Sequence, residues 1–233
     1  MKITWYGHSC FRLEIASSVI LIDPFLSGNP TFEATGRSVT DASAGVTHVA
    51  LTHGHDDHVG DAAAICAETG ATLIAVFELA MYLNAKGVAN IDPTNHGGTV
   101  HHDGFSITFV NALHSASTIV DGRPIYLGNP CGLVIRPDNG PVVYHMGDTE
   151  VMSDFQIINE LHAPKVGIVP IGDRFTMGAR SAAFACKRFF SFDAVIPSHY
   201  ATFAMLDQSA DAFVAEMAGQ NVIVPQPGVA FEV

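Results

Sequence analysis

The sequence predicts an α/β fold in which helices flank mixed β-sheets. Three observations predict it. Apolar runs alternate with helical composition in the order strand, helix, strand, helix across residues 46–86. The same alternation returns over the last third of the chain. A hydrophobic fraction of 48% in 233 residues is ample for a sizeable core, and with no solenoid repeat, low-complexity tract or Pro/Ser-rich linker it predicts one domain over residues 1–233.

The elements follow in order. Residues 2–6 and 10–16 read as paired strands joined by a tight Gly7-His8-Ser9 turn, and residues 18–22 as a third strand ending at Asp23-Pro24. Residues 24–45, rich in Gly, Pro, Ser, Thr and Asn, predict a long surface loop of functional interest. Residues 46–52 (VTHVALT) form a buried strand. A helix over 59–68, a strand over 72–76 and a helix over 78–86 come next. After a turn at 95–98, strands are expected at 99–101, 105–112, 132–136 and 142–146. The last third predicts helices at 154–162, 179–190 and 208–218, with strands at 166–170, 194–196, 222–224 and 229–231.

Composition narrows the functional classes. A formal charge of −12 offers no basic patch and argues against a nucleic-acid partner. The cysteines Cys10, Cys66, Cys131 and Cys186 lack the close spacings of thiolate metal sites or redox motifs and read as reduced, buried thiols. The N-terminus lacks an apolar signal region, and the longest greasy stretch, 72–83, is too short to span a bilayer. A soluble cytoplasmic protein without a membrane partner is expected. The hydrophobic, lightly charged chain is compatible with a homo-oligomer.

The chemistry is concentrated at His53-Gly-His55-Asp-Asp57-His58. His53 and His55, two apart on extended backbone, can point the same way and meet one ion. Asp57 and His58, where the chain turns into the next helix, can aim at a second ion nearby. Imidazole and carboxylate donors suit zinc, manganese or iron, with no thiolate to demand zinc alone. His114, Asp148 and His199 each follow an apolar strand, and strand ends on one sheet edge are where α/β sites assemble. Each alone would read as a hydrogen-bonded loop residue. With the cluster they read as the missing ligands.

His53-x-His55-x-Asp57-His58, with the later His114, Asp148 and His199, resembles the metallo-β-lactamase superfamily over nearly the whole chain. Gly7-His8-Ser9-Cys10-Phe11, Asp23-Pro24-Phe25, Gly97-Gly98-Thr99-Val100, His145-Met-Gly-Asp-Thr149 and Phe175-Thr-Met-Gly178 resemble a branch of metal-dependent hydrolases related to the ascorbate-6-phosphate lactonases. The resemblance implies an αββα four-layer sandwich, two mixed sheets flanked by helices, with a dinuclear site on its edge. It also implies that His53, His55 and His114 hold one ion, Asp57, His58 and His199 the other, and Asp148 bridges them. Asp148 stands where dinuclear β-lactamases carry a cysteine, which points away from antibiotic hydrolysis. His55 stands where flavo-diiron reductases place a glutamate.

From this follows an expected mechanism, in which a metal-bridged hydroxide attacks a small ester, lactone or phosphoester. Zinc is the first expectation for the two divalent ions, with manganese or iron as alternatives. Asp57 is a candidate proton relay through a free carboxylate oxygen, and Asp57 and Asp148 are the candidate catalytic residues. Four supporting positions are drawn in around them. His8 could be a substrate contact, an acid, an extra ligand or a structural residue. Asp23 could orient a metal-bound histidine or cap a turn. Thr176 could contact an anion or cap a helix, and Arg180 could attract phosphate or carboxylate or be a solvated helix arginine. His96, His101 and His102 read as surface residues, and His48, His145 and His162 as structural ones. The substrate is expected to be a small molecule chosen by loops 24–45 and 115–130. A metal-dependent ribonuclease or phosphodiesterase, and a metal-binding protein without turnover, are the alternatives.

Overall fold

The N-terminal meander shows the alternation that a sheet with one better-covered face requires. The computed structural model describes residues 1–233. β1 (Lys2–Trp5), β2 (Phe11–Ile15) and β3 (Ser18–Ile22) pair antiparallel, and in β2 Phe11, Leu13 and Ile15 are buried while Arg12 and Glu14 lie at the surface side.

Residues 24–45 are not the continuous loop expected. They hold two short helices, α1 (Pro30–Glu33) and α2 (Val39–Ser43), each set by local chemistry. The Asn29 side chain accepts the Thr31 and Phe32 amides, Pro30 opens the first turn, and Ser38 with Asp41 forms a capping box. These signals are side-chain caps inside a turn-rich composition, which averaged composition hides.

β4 (His48–Ala50) leads to α3 (Asp56–Val59), α4 (Ala62–Thr69), β5 (Thr72–Val76), α5 (Phe77–Ala85) and β6 (Ile91–Thr94). The helix expected over 59–68 is broken at Gly60, whose φ is +42°. A Cβ there would come within 2.5 Å of the Pro24 carbonyl oxygen, so the break admits a neighbouring chain segment. β6 escaped sequence reading because Pro93 interrupts it; as an edge strand it tolerates proline.

β7 (Thr99–His102), β8 (Phe105–Asn111), the hairpin β9 (Ser117–Val120) and β10 (Arg123–Tyr126), β11 (Cys131–Pro137) and β12 (Val143–His145) make up the middle of the chain. The hairpin lies in the stretch read as loop. Its strands bury neither face, so they carry no alternation to read. α6 (Asp154–His162), β13 (Val166–Pro170), α7 (Ala179–Phe189), β14 (Ala194–Ser198), α8 (Asp211–Glu216) and β15 (Ala230–Glu232) complete the fold. The strand expected at 222–224 reduces to a single bridge between Val222 and Val195.

The strands form a seven-stranded sheet, β15-β1-β2-β3-β4-β5-β6, and a six-stranded sheet, β14-β13-β12-β11-β8-β7. Their inner faces meet, with Phe11 of β2 on His145 of β12 and His48 of β4 on Phe105 of β8. Helices cover the outer faces, which gives the αββα sandwich. Strand direction positions the site. In the first sheet β1, β3 and β4 run the same way, and in the second β8, β12 and β14 do. The C-terminal ends of these strands therefore share an edge, and each is followed by a polar residue: His8, Asp23, His53, His114, Asp148 and His199. No helix is long and apolar enough to cross a membrane.

Candidate metal centre

β4 stops at Ala50, two residues sooner than the apolar run suggested, and the motif follows in irregular extended backbone. His53 is fully buried, His55 stands at the N-cap of α3, and Asp57 and His58 lie on α3 itself. The pair at 53 and 55 does converge, with His53 Nε2 2.9 Å from His55 Nδ1. His114 closes on both, at ring separations of 5.2 Å and 5.1 Å. One donor from each of these histidines lies within 4.8 Å of the others.

A second group unites Asp57, His58, His199 and also His8 within the same limit, and a third joins His53, His58 and Asp148. Asp148 lies between them. Its Oδ2 is 3.3 Å from His58 Nε2, 3.6 Å from His114 Nε2 and 3.0 Å from His199 Nε2. Donors about 2.1 Å from one tetrahedral ion would stand roughly 3.4 Å apart, so these spacings suit shared ligands. The orientations agree. His58 Nε2, both ring nitrogens of His199 and Asp148 Oδ1 are buried without a hydrogen-bond partner, although His58 and His199 are close to Asp148. Buried polar atoms are ordinarily satisfied, and a cluster of orphaned lone-pair donors fits divalent cations.

Electrostatics point the same way. Burial, aided by His58, holds His53 well below the usual imidazole range, and burial also lowers His55 and His114, leaving all three as neutral donors. Burial opposes charge on Asp148, but His199 and His58 pull its carboxyl well below the usual range. Burial likewise opposes charge on Asp57, and the bond from His8 and the field of His58 outweigh it. His58 is the exception: burial disfavours its charge, yet Asp148 and Asp23 raise it well above the usual imidazole value. An ion bound at Nε2 must displace that proton, so uptake releases protons and weakens in acid.

The supporting residues sort clearly. Asp23 is fully buried and orients the cluster: its Oδ2 is 2.7 Å from His58 Nδ1, and its carboxylate accepts both the amide and the hydroxyl of Thr52. Thr52 was not anticipated. Its hydroxyl also lies 3.0 Å from His53 Nδ1, and its only sequence signal is its place just before the motif. His8 is fully buried, with Nε2 3.1 Å from Asp57 Oδ2, and burial followed by His199 pushes its imidazole down to about 4. Asp57 thus bonds His8 through one of its two carboxylate oxygens. Thr176 neither caps α7 nor reaches the donors: its hydroxyl bonds the Met177 carbonyl, and the cap is Gly178 with Ser181. Arg180 is exposed and lines a cleft of about 630 Å³ with Asp173, Ser181, Phe184 and Asp207, which no candidate ligand lines.

Access to the donors runs along His55, Asp57 and His114, the partly exposed members of the groups. The β9–β10 hairpin stands beside this opening. Thr118 Oγ1 donates to Asp56 Oδ1 at 2.7 Å, and Leu127 packs over Gly54, where a Cβ would come within 2.6 Å of it. Among the remaining histidines, His101 is exposed as expected, and others make structural contacts. His145 Nδ1 accepts the Gly147 amide, His96 bonds the Pro130 carbonyl, and His102, half-buried rather than at the surface, meets Asp92 and His48.

The chain is similar to known proteins over nearly its whole length. A family model described as a beta-lactamase superfamily domain covers residues 2–199. A metal-dependent hydrolase of the UPF0173 group from Methylocella silvestris is 56% identical over 229 residues, 98% of this chain and 97% of that protein. Another of the same description from Brucella abortus is 58% identical over 219 residues, 94% of this chain and 92% of that protein. Among solved structures, the metallo hydrolase Igni18 from the hyperthermophilic archaeon Ignicoccus hospitalis superposes with a TM-score of 0.86 at 34% identity, covering 100% of this chain and 98% of that one.

Proposed function

The chain belongs to the metallo-β-lactamase superfamily, among its metal-dependent hydrolases, and from that premise we propose that it uses two divalent ions to hydrolyse a small ester, lactone or phosphoester. The observation that carries the two-ion reading is the position of Asp148, whose Oδ2 lies within 3.6 Å of nitrogens from His58, His114 and His199 and so touches both donor groups. His53, His55 and His114 would hold one ion, and Asp57, His58 and His199 the other, with Asp148 shared.

When bound, such ions acidify water towards neutrality and offset negative charge developing on a carbonyl or phosphoryl oxygen. The chain's own residues supply the rest. Asp23 and Thr52 fix the tautomer and angle of His58, and buried His53, His58, Asp148 and His199 form the floor of the site. The partly exposed His55, Asp57 and His114 face the approach of substrate. In this arrangement Asp57 would give one oxygen to an ion while the other accepts from His8, so a proton relay through Asp57 would run along that hydrogen bond. Imidazole and carboxylate donors favour zinc first, with manganese or iron accommodated by the same set.

The net charge of −12 weighs against an extended polyanionic substrate such as RNA. The test is hydrolysis of a panel of lactones, simple esters, phosphodiesters and RNA by protein loaded with each metal. Selective turnover of a small lactone or ester supports the proposal. Turnover of RNA alone would install the nuclease reading, and two bound ions with no turnover across the panel the metal-binding one. Self-association is part of the same proposal and is read by light scattering on the eluting protein.

A further inference from the structure

His8 touches the candidate centre twice. Its side chain places Nε2 3.1 Å from Asp57 Oδ2, and its backbone carbonyl accepts the amide of His199 at 3.0 Å. Those contacts reach two residues of the same donor group from opposite sheet positions, one on α3 and one after β14. The backbone is set for this. Gly7 and His8 take φ of +97° and +54°, and a Cβ on Gly7 would come within 2.7 Å of Thr31, so the turn is held in a left-handed form that only glycine fills at its first position. The carbonyl so presented also accepts the Trp5 indole N–H at 2.9 Å. Phe25 and Phe203 flank the ring at 5.8 Å and 5.4 Å, and His199 lies at 3.9 Å.

The chemistry of the pair fixes the tautomer. Ionised Asp57 only accepts, so the hydrogen bond requires the proton on Nε2 of His8. A nitrogen carrying that proton is no ligand. His8 Nδ1 is then a bare acceptor, and it is buried without a partner in the protein.

We infer that His8 is a positioning residue, and not a ligand: its Nε2–H holds one oxygen of Asp57 so that the other is presented to the ion shared with His58 and His199. The inference rests on the two-ion reading above. It distinguishes the two ions, because His8 belongs with Asp57, His58 and His199 and not with the group of His53, His55 and His114.

The experiment is zinc binding at graded free zinc in a competing chelator, with metal content by mass spectrometry, for the wild type, His8→Ala and His8→Gln. Glutamine can place its amide nitrogen where Nε2 stands and donate the same bond. Expected are two ions in the wild type; one ion held normally and the second at least 10-fold more weakly in His8→Ala, within the range of outer-partner losses; and recovery to within a few-fold in His8→Gln. The ion retained by His8→Ala reports that the variant is folded. Wild-type affinity for both ions in His8→Ala overturns the inference, as does equal weakening of both. A His8→Gln variant as weak as His8→Ala overturns it in favour of ring ligation. Fewer than two ions in the wild type removes the two-ion reading itself, a result separable from the others.

Discussion

Asp23 Oδ2 and His58 Nδ1 stand 2.7 Å apart with both side chains fully buried. Asp23 in turn is fixed by Thr52, whose amide and hydroxyl donate to it at 2.8 Å and 2.6 Å. This chain of contacts leaves His58 Nε2 facing Asp148. An aspartate far from the motif in sequence thus decides which nitrogen of a motif histidine is offered.

Asp23→Asn keeps the shape but supplies an amide where Thr52 and His58 need acceptors. A 10- to 100-fold loss of affinity for the ion held by His58 is expected, the usual effect of removing such an orienting partner. Zinc titration measures it. Unchanged affinity would show that His58 is oriented by packing alone.

Gly172 is confined by the loop that carries His199. A Cβ there would run into the His199 carbonyl oxygen and come within 3.1 Å of its Nδ1. Gly172→Ala therefore has to displace His199. Overpacking of this kind costs roughly 1–3 kcal/mol, read as a lower urea midpoint. The His199 ion should weaken while the His53, His55 and His114 ion keeps its affinity. Normal midpoint and binding would mean that the loop yields freely.

The sandwich itself carries a pH response away from the metal edge. His48, half-buried between His102 and Phe105, is pushed down to about 4 by burial and then by His102, with Asp92 opposing. The unfolded chain binds this proton near pH 6.5 and the folded chain only near 4. Stability from neutral His48 is thus complete above the unfolded value and declines as pH falls from about 6.5 to 4. His48→Gln should shrink the drop in thermal midpoint between pH 7 and pH 5 measured on chelated protein. An identical drop in the variant would assign the response elsewhere.

Much of this was legible in the sequence for a physical reason. Strand ends on one edge of an α/β sheet gather functional groups, so His114, Asp148 and His199, each set after an apolar run, read as ligands beside the His53–His58 cluster. The hairpin at 117–126 was invisible because Ile119, Val120, Ile125 and Tyr126 are all exposed and no face alternates. The break at Gly60 and the role of Thr52 depend on a segment and a carboxylate brought in from residues 23 and 24, contacts that exist only after folding. His8 was identified as a candidate, but its hydrogen bond to Asp57 needed the geometry of the turn. Thr176 misled because a threonine before a helix is a common cap, whereas here Gly178 and Ser181 close that end.

The two-ion centre is tested most directly by anomalous diffraction from crystals of the zinc-loaded protein, recorded at the metal edge. Two peaks per chain a few ångströms apart are expected, one among His53, His55 and His114, the other among Asp57, His58 and His199, with Asp148 between them. A single peak, or a pair with Asp148 outside it, would contradict a two-ion centre bridged at Asp148.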